Sequence, residues 1–155
     1  MKTVFKYFLL IVFVIIQFEG IKLNAQPCVD PNSLLKYKNS RIGLTEYVIF
    51  IFNRPTSFTY SVNTCTPPFT SDPSDEPVTV AGDKFKKINF SNVVWMCQSV
   101  NNISLYSGGK VKGVSCIQQF EGEISYVVGY RSNVTYRGTY YYNSGGKKYV
   151  VMKFR

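Results

Sequence analysis

The sequence predicts an all-β fold, either a β-sandwich or a partly open barrel of about seven or eight mostly antiparallel strands. Short runs of Val, Ile, Phe and Tyr recur along the chain, separated by clusters of Gly, Pro, Asn and Ser. β-Branched and aromatic residues favour extended backbone, whereas those clusters favour turns. No segment places its apolar residues at the spacing of an amphipathic helix over three turns. These patterns argue against a helical or α/β domain.

The first predicted strand covers residues 45–52, TEYVIFIF. Apolar residues occupy both of its alternating faces, as expected for a central strand that is buried on both sides. Residues 57–62, SFTYSV, alternate apolar and polar positions after a turn that contains Pro55. Because the two strands lie close in sequence, we expect them to pair as a hairpin.

Further extended segments are predicted at residues 78–90, 111–119, 123–131 and 147–154. Residues 63–77 contain four of the seven prolines and several acidic residues, which predicts a surface loop. Residues 92–109, which include Trp95, show no clear period and receive no assignment. Residues 26–44 also lack a period, so we expect an irregular N-terminal segment ahead of a β domain at residues 45–155.

The first 25 residues have the layout of a secretory signal peptide. Lys2 and Lys6 precede an apolar run at residues 8–18, and the small residue Ala25 offers a cleavage point before Gln26. A membrane anchor is the alternative, but a bilayer span needs about 20 apolar residues, and this run is shorter. We therefore predict a secreted protein, periplasmic or extracellular, whose mature part of 130 residues forms one domain.

The predicted mature chain is basic, with 15 Lys and Arg against 8 Asp and Glu, a net charge of +7. Such a charge suits anionic partners outside the cell, including wall polymers, glycosaminoglycans and lipid surfaces. The alternative is ordinary surface charge that serves solubility, because the lysines are scattered and form no long block. Nucleic acid is not an expected partner of an exported domain.

All four cysteines, Cys28, Cys65, Cys97 and Cys116, lie in the predicted mature part. An even number of cysteines in an exported chain predicts two disulfides, for which three connectivities are possible. A zinc site would need closely spaced ligand pairs, whereas these cysteines are far apart and the chain has no histidine. We predict neither a metal site nor a cofactor.

The sequence offers little for catalysis, so we predict that the protein is not an enzyme. Histidine, the commonest general base, is absent. Glu121 and Glu123 are the one close carboxylate pair within predicted strands, and residues two apart on a strand share a face. An acid beside Gly122 more often belongs to a turn, and no Gly-x-Ser-x-Gly or Ser-x-x-Lys motif occurs.

The sequence contains more residues suited to binding than to catalysis, because aromatic rings beside Arg or Lys can stack on sugars or cations. The alternative is structural, since half of any alternating strand faces the core. Three Asn-x-Ser/Thr sequons, at Asn89, Asn102 and Asn133, would be glycosylated only in a eukaryotic host. The candidate binding residues are Trp95, Tyr126, Tyr130, Arg131, Tyr140 and Tyr142.

The order of several short motifs resembles the AMIN-like domain family over residues 42–154. In that family a strand of the type Arg-Val-Val-Phe precedes an Ala-Gly-Asp motif, a Phe-Glu-Gly strand with a later glycine, and a closing Leu-Val-Val-Asp strand. The corresponding places here are residues 47–52, 81–83, 120–122 with Gly129, and 149–153. Two features depart from the family pattern: Thr45 and Glu46 replace its usual Asp-Arg, and the four cysteines are an addition.

The resemblance implies a secreted all-β domain similar to the AMIN domains that attach amidases and secretins to the cell envelope. It implies no catalytic residues. The expected function is therefore non-catalytic binding of an envelope polymer such as peptidoglycan. The alternative is a structural or protein-protein interaction domain in the periplasm or extracellular space, one of whose edge strands pairs with an envelope protein.

Overall fold

The computed structural model describes residues 30–53, 57–94, 96–97 and 103–155. These residues contain no helix and form antiparallel strands, which confirms the predicted all-β class. The strands are β1 (Leu34–Ile42), β2 (Thr45–Asn53), β3 (Thr59–Cys65), β4 (Phe69–Thr70), β5 (Pro77–Val78), β6 (Lys84–Ser91), β7 (Val111–Phe120), β8 (Glu123–Tyr130), β9 (Tyr136–Ser144) and β10 (Lys147–Phe154).

Two four-stranded sheets carry the core. The first sheet has the strand order β1-β2-β10-β9, and the second has the order β3-β6-β8-β7. β4 and β5 form a separate two-stranded ribbon. Because each sheet combines strands from distant parts of the chain, the arrangement depends on long-range pairing.

The two sheets pack face to face over an aromatic core. Phe50 and Phe52 of β2 contact Phe90 of β6, with ring centroids 5.0 and 4.9 Å apart. Tyr37 of β1 packs on Tyr126 of β8 at 4.9 Å. All five rings are almost fully buried. Side chains of this size each contribute roughly 1.5–3 kcal/mol on burial, so these rings are a major source of stability.

Part of the segment predicted to be irregular is a regular strand. Residues 26–44 were expected to form an irregular segment, but β1 occupies Leu34–Ile42 and pairs with β2 along its whole length. A register shift lies between Leu34 and Lys36, so Leu34 and Tyr37 both enter the core although they are three residues apart. This irregularity breaks the period-two pattern that identifies a strand.

The predicted hairpin of β2 and β3 is wrong. β2 lies between β1 and β10 in the first sheet, whereas β3 pairs with β6 in the second. The chain therefore crosses between the sheets after Asn53. The central position of β2 was predicted correctly, with Val48, Phe50 and Phe52 facing the core.

A second, smaller core covers the outer side of the second sheet. Residues 66–83 pass over that side, and Phe69 and Val80 pack there on Phe85, Ile117 and Val127. The segment approaches the sheet so closely that a Cβ on Gly129 would lie 2.1 Å from the carbonyl oxygen of Ala81. Only glycine fits at that crossing. Two of the motifs that carry the family resemblance thus contact each other directly.

No helix in the described ranges is long and apolar enough to cross a bilayer.

Candidate binding surface on the first sheet

Four tyrosines form a continuous patch on the outer side of the first sheet, called here the tyrosine face: Tyr47, Tyr140, Tyr142 and Tyr149. Val150 and Met152 of β10 enter the core, so the alternating Tyr149 and Val151 point outward. The register places Tyr142 opposite Tyr149 and Tyr140 opposite Val151. All four rings therefore lie on one side of the sheet.

The rings of this face are close enough to act together. Tyr142 and Tyr149 stack with centroids 4.7 Å apart and planes 2° apart. Burial raises the pKa of Tyr140, and charge interactions with Tyr47 and Tyr142 add to that shift. Tyr140 and Tyr142 remain 47% and 43% exposed, so solvent and ligands reach them.

Lysines border the tyrosine face, and the described strands of this sheet place no acidic residue beside them. Across the four strands, Tyr142 lies opposite Tyr149, Tyr149 opposite Ile51, and Ile51 opposite Lys36. The neighbouring row of paired residues, which contains Tyr140, ends at Lys38 on β1. Lys153 lies beside Tyr47 in the next row. Among the outward-facing strand residues of the first sheet, all within the described ranges, none is Asp or Glu. The surface therefore combines aromatic rings with uncompensated positive charge.

Tyr141 lies between Tyr140 and Tyr142 in sequence but faces the other way. It is opposite the core residue Val150, and its ring meets Tyr60 of the second sheet at 6.5 Å. The ammonium group of Lys148 lies 4.8 Å from the ring centroids of both Phe58 and Tyr141. These contacts lie where β9 meets β3, so Tyr141, although 55% exposed, is not part of the tyrosine face.

The structure places Tyr126 and Tyr130 in the core rather than on a binding surface. Tyr126 is 0% exposed, and its hydroxyl donates to the sulfur of Met96 at 2.8 Å. Burial raises the pKa of Tyr126 well above its ordinary value. Tyr130 packs on Phe154 with centroids 5.1 Å apart. Both rings are therefore buried and lie apart from the tyrosine face.

The other predicted binding residues have different outcomes. Arg131 lies in the turn after β8, where its backbone N–H donates to the carbonyl oxygen of Lys110 at 3.0 Å. Arg131 follows β8 of the second sheet, whereas Tyr140 and Tyr142 belong to the tyrosine face of the first sheet. Trp95 lies outside the described residues.

The tyrosine face also contains residues that the sequence did not single out. Tyr47 belongs to the first predicted strand and Tyr149 to the last, but neither was connected with Tyr140 and Tyr142. The signal that would connect them is the pairing of β10 with both β2 and β9. The alternation of residues within a single strand does not predict which strands pair with it.

The structure corrects the prediction that the cysteines form two disulfides. Cys65 and Cys116 are free thiols, whereas Cys97 is disulfide-bonded. Cys65 and Cys116 lie on β3 and β7, with β6 and β8 between them. Three strand spacings of about 4.8 Å separate them, beyond the roughly 7 Å between Cα atoms that a disulfide spans. Cys28 lies outside the described residues.

The carboxylate pair considered for catalysis is divided between a turn and a strand. Glu121 occupies the two-residue turn of the β7–β8 hairpin with a φ of 48°, and it is exposed. Glu123 starts β8 and accepts a hydrogen bond from the hydroxyl of Ser91 at 3.0 Å. In the described part of the chain, no cluster of His, Cys, Asp or Glu could hold a metal ion.

Two of the three sequons can be located. Asn133 lies exposed in the turn between β8 and β9. Asn89 lies on β6, where its side chain donates to Ser61 and accepts from Ser125. Asn102 lies outside the described residues.

No protein-family model, curated protein or solved structure matches this chain. The likeness to AMIN-like domains therefore stays a prediction from motif order, and function has to be argued from the surface itself.

Proposed function

We propose that the protein is an exported, non-catalytic module that binds an anionic envelope polymer such as peptidoglycan through the tyrosine face. The observation that carries the proposal is the stacked pair Tyr142 and Tyr149 beside Tyr140, exposed on a sheet whose border is lysine. The predicted signal peptide and AMIN-like motif order agree with it.

The geometry suits a ligand made of rings. Sheet positions two residues apart are separated by about 7 Å, and neighbouring strands by about 4.8 Å, so the tyrosines present several aromatic surfaces across a short distance. The apolar face of a sugar ring packs on such surfaces, while the phenol hydroxyl remains free to hydrogen-bond. Val151 lies opposite Tyr140 and Ile51 opposite Tyr149, and both are buried, so the rings rest on a packed surface. A rigid aromatic surface loses little conformational entropy when a ligand binds.

The charge suits a polymer that carries carboxylates or phosphates. Lys36 and Lys38 are exposed on β1, on the side of the sheet away from β9. A chain that crosses the sheet from β9 to β1 would contact the tyrosines first and the lysines next. Acidic side chains, which would repel such a polymer, do not occur on the outward positions of these four strands.

Co-sedimentation with insoluble peptidoglycan at moderate salt tests the proposal. We expect the protein to be retained and a Tyr140→Ala/Tyr142→Ala variant to be released. Tyr106→Ala is the matched control, because Tyr106 is also 43% exposed but lies in the loop before β7. Failure of the wild-type protein to sediment, or equal loss in both variants, would rule out the tyrosine face as the binding surface.

A protein-interaction domain is the second candidate. β9 is an edge strand of the first sheet, and its residues 140–144 are exposed, so its backbone is open to pairing with a strand of a partner. A pull-down from envelope or culture fractions that recovers one protein, together with absent polymer binding, would favour this candidate. Substituting proline for a β9 residue whose backbone N–H points away from β10 should then abolish recovery of the partner protein.

A further inference from the structure

We propose that the end of the sandwich carrying the β1–β2 turn is a docking site for an anionic lipid surface. This site, called here the basic end, comprises Ile42, Leu44, Tyr106 and the basic residues around them. It shares no tyrosine with the polymer surface and lies at the ends of the strands rather than on a sheet face.

The β1–β2 turn presents two large apolar side chains to solvent. Ile42 pairs with Thr45, so the turn consists of Gly43 and Leu44, and Gly43 adopts a φ of 56°. Two-residue hairpin turns usually hold Gly, Asn, Asp or Ser, because these residues suit the backbone and water. Here Ile42 is 71% exposed and Leu44 is 75% exposed, more than the other large apolar residues exposed in the described ranges. The turn therefore explains the glycine at position 43, but it does not explain the exposed apolar side chains of Ile42 and Leu44.

Polar contacts fix the turn to the body of the domain. Arg41 pairs with the buried carboxylate of Glu46, which also accepts the backbone N–H of Val111 at 2.8 Å. The guanidinium of Arg41 lies 4.6 Å from the ring centroid of Tyr106. The apolar tip is thus held rigidly, next to an exposed aromatic ring and a cation. Aromatic and basic side chains together are typical of the boundary between water and a bilayer.

Positive charge is concentrated around this tip. The backbone of Arg131 bonds to that of Lys110, and the C-terminal Arg155 pairs with Thr135 nearby. Among the described residues at this end, Asp83 is the one exposed acid, because Glu46 is buried against Arg41. The remaining acidic residues of the described ranges lie on other surfaces: Asp30, Asp72, Asp75, Glu76, Glu121 and Glu123. The basic side chains at this end are Arg41, Lys84, Lys110, Arg131 and Arg155.

The shape of the tip favours a bilayer over a protein partner. A stable dimer buries roughly 800 Å² on each side, usually on a broad and fairly flat patch. Two side chains on a narrow turn cannot supply that area alone. A bilayer, by contrast, accepts a protruding apolar tip into its interfacial layer while its anionic head groups contact the surrounding lysines and arginines.

Vesicle co-sedimentation tests this inference with protein recovered from a secreting host, its N-terminus established by intact mass. We expect binding to vesicles of phosphatidylcholine and phosphatidylglycerol in equal parts, and little binding to phosphatidylcholine alone. Ile42→Ser/Leu44→Ser should reduce binding about tenfold or more, because two apolar side chains no longer enter the bilayer. Raised salt should also release the protein, because it screens the basic residues.

The matched control is Val94→Ser/Phe120→Ser, which removes two exposed apolar side chains near Glu121, at the other end of the sandwich. This variant should bind the anionic vesicles as the wild type does. Retained binding by the Ile42→Ser/Leu44→Ser variant, equal loss in both variants, or equal binding to both vesicle types would overturn the proposal. The proposal would also be overturned if the wild-type protein were a dimer that the Ile42→Ser/Leu44→Ser variant converts to a monomer. The Ile42→Ser/Leu44→Ser variant should still sediment with peptidoglycan, so the two proposals can fail separately.

Discussion

Tyr142 and Tyr149 stack across the β9–β10 pair with centroids 4.7 Å apart and nearly parallel planes. Because both rings lie on the outer side of the sheet, the stack serves the surface rather than the core. We expect Tyr142→Ala to weaken peptidoglycan binding by up to about tenfold, since an aromatic contact is worth about 0.5–1.5 kcal/mol. The melting temperature should change little. A large loss of thermal stability with unchanged binding would mean that the stack is structural.

Glu46 makes the stability of the fold sensitive to acid. Burial by itself would raise the pKa of its carboxyl, but hydrogen bonds from Val111 N–H and Arg41 outweigh burial and lower the pKa below its ordinary value of 4.5. A carboxyl whose pKa is lowered in the folded state stabilises the fold above its unfolded pKa. That stability is lost as the pH falls through the folded pKa.

Glu46→Gln should therefore reduce the free energy of unfolding by about 1–3 kcal/mol at neutral pH. The difference from the wild type should shrink as the pH falls below 4.5. Chemical denaturation at several pH values measures both effects. A difference that stays constant down to strong acid would show that the charge of Glu46 contributes nothing.

Gly129 is required by the crossing of residues 66–83 over the second sheet. A Cβ there would overlap the carbonyl oxygen of Ala81, and a backbone atom cannot rotate away as a side chain can. Gly129→Ala should destabilise the fold by about 1–3 kcal/mol or more. Gly145→Ala is the control: its Cβ would meet nothing within 4 Å, so it carries only the strain of a positive φ. Equal thermal shifts in the two variants would contradict the crossing.

The thiols give a chemical test of the fold. Cys65 and Cys116 are free and Cys97 is bonded, so alkylation of the unfolded, unreduced chain should label two cysteines. Non-reducing peptide mapping should find Cys97 in a disulfide-linked peptide and Cys65 and Cys116 in unlinked peptides. In the folded protein Cys116 should react slowly, because burial raises its pKa to about 11. Labelling of no cysteine or of all four would contradict this pattern.

The sequence predicts strands well where the local pattern is regular. β2 and β10 were predicted within a residue of their observed bounds, because dense β-branched and aromatic runs lie between clear turn residues. β1 was missed because the register shift after Leu34 disturbs its alternation. The partner of β2 was missed because strands from the two ends of the chain, β1 and β10, flank it in the sheet.

The binding surface was predicted only in part, for a related reason. Tyr126 was a reasonable candidate, since β8 alternates aromatic and small residues. However, β8 is central and is covered on both sides, so Ser125 and Val127 are buried as well as Tyr126. Exposure is set by what packs on each face of a sheet, and the segment that covers β8 comes from residues 66–83. A local pattern cannot reveal that covering.

Amide chemical-shift mapping with soluble, muropeptide-sized peptidoglycan fragments tests the central claim most directly. We expect the amide signals of β9 and β10 around Tyr140, Tyr142 and Tyr149 to shift in proportion to bound ligand, with smaller shifts on β1 near Lys36. Signals at the basic end and at Gly129 should stay unchanged. The absence of shifts, or shifts confined to another surface, would contradict the account.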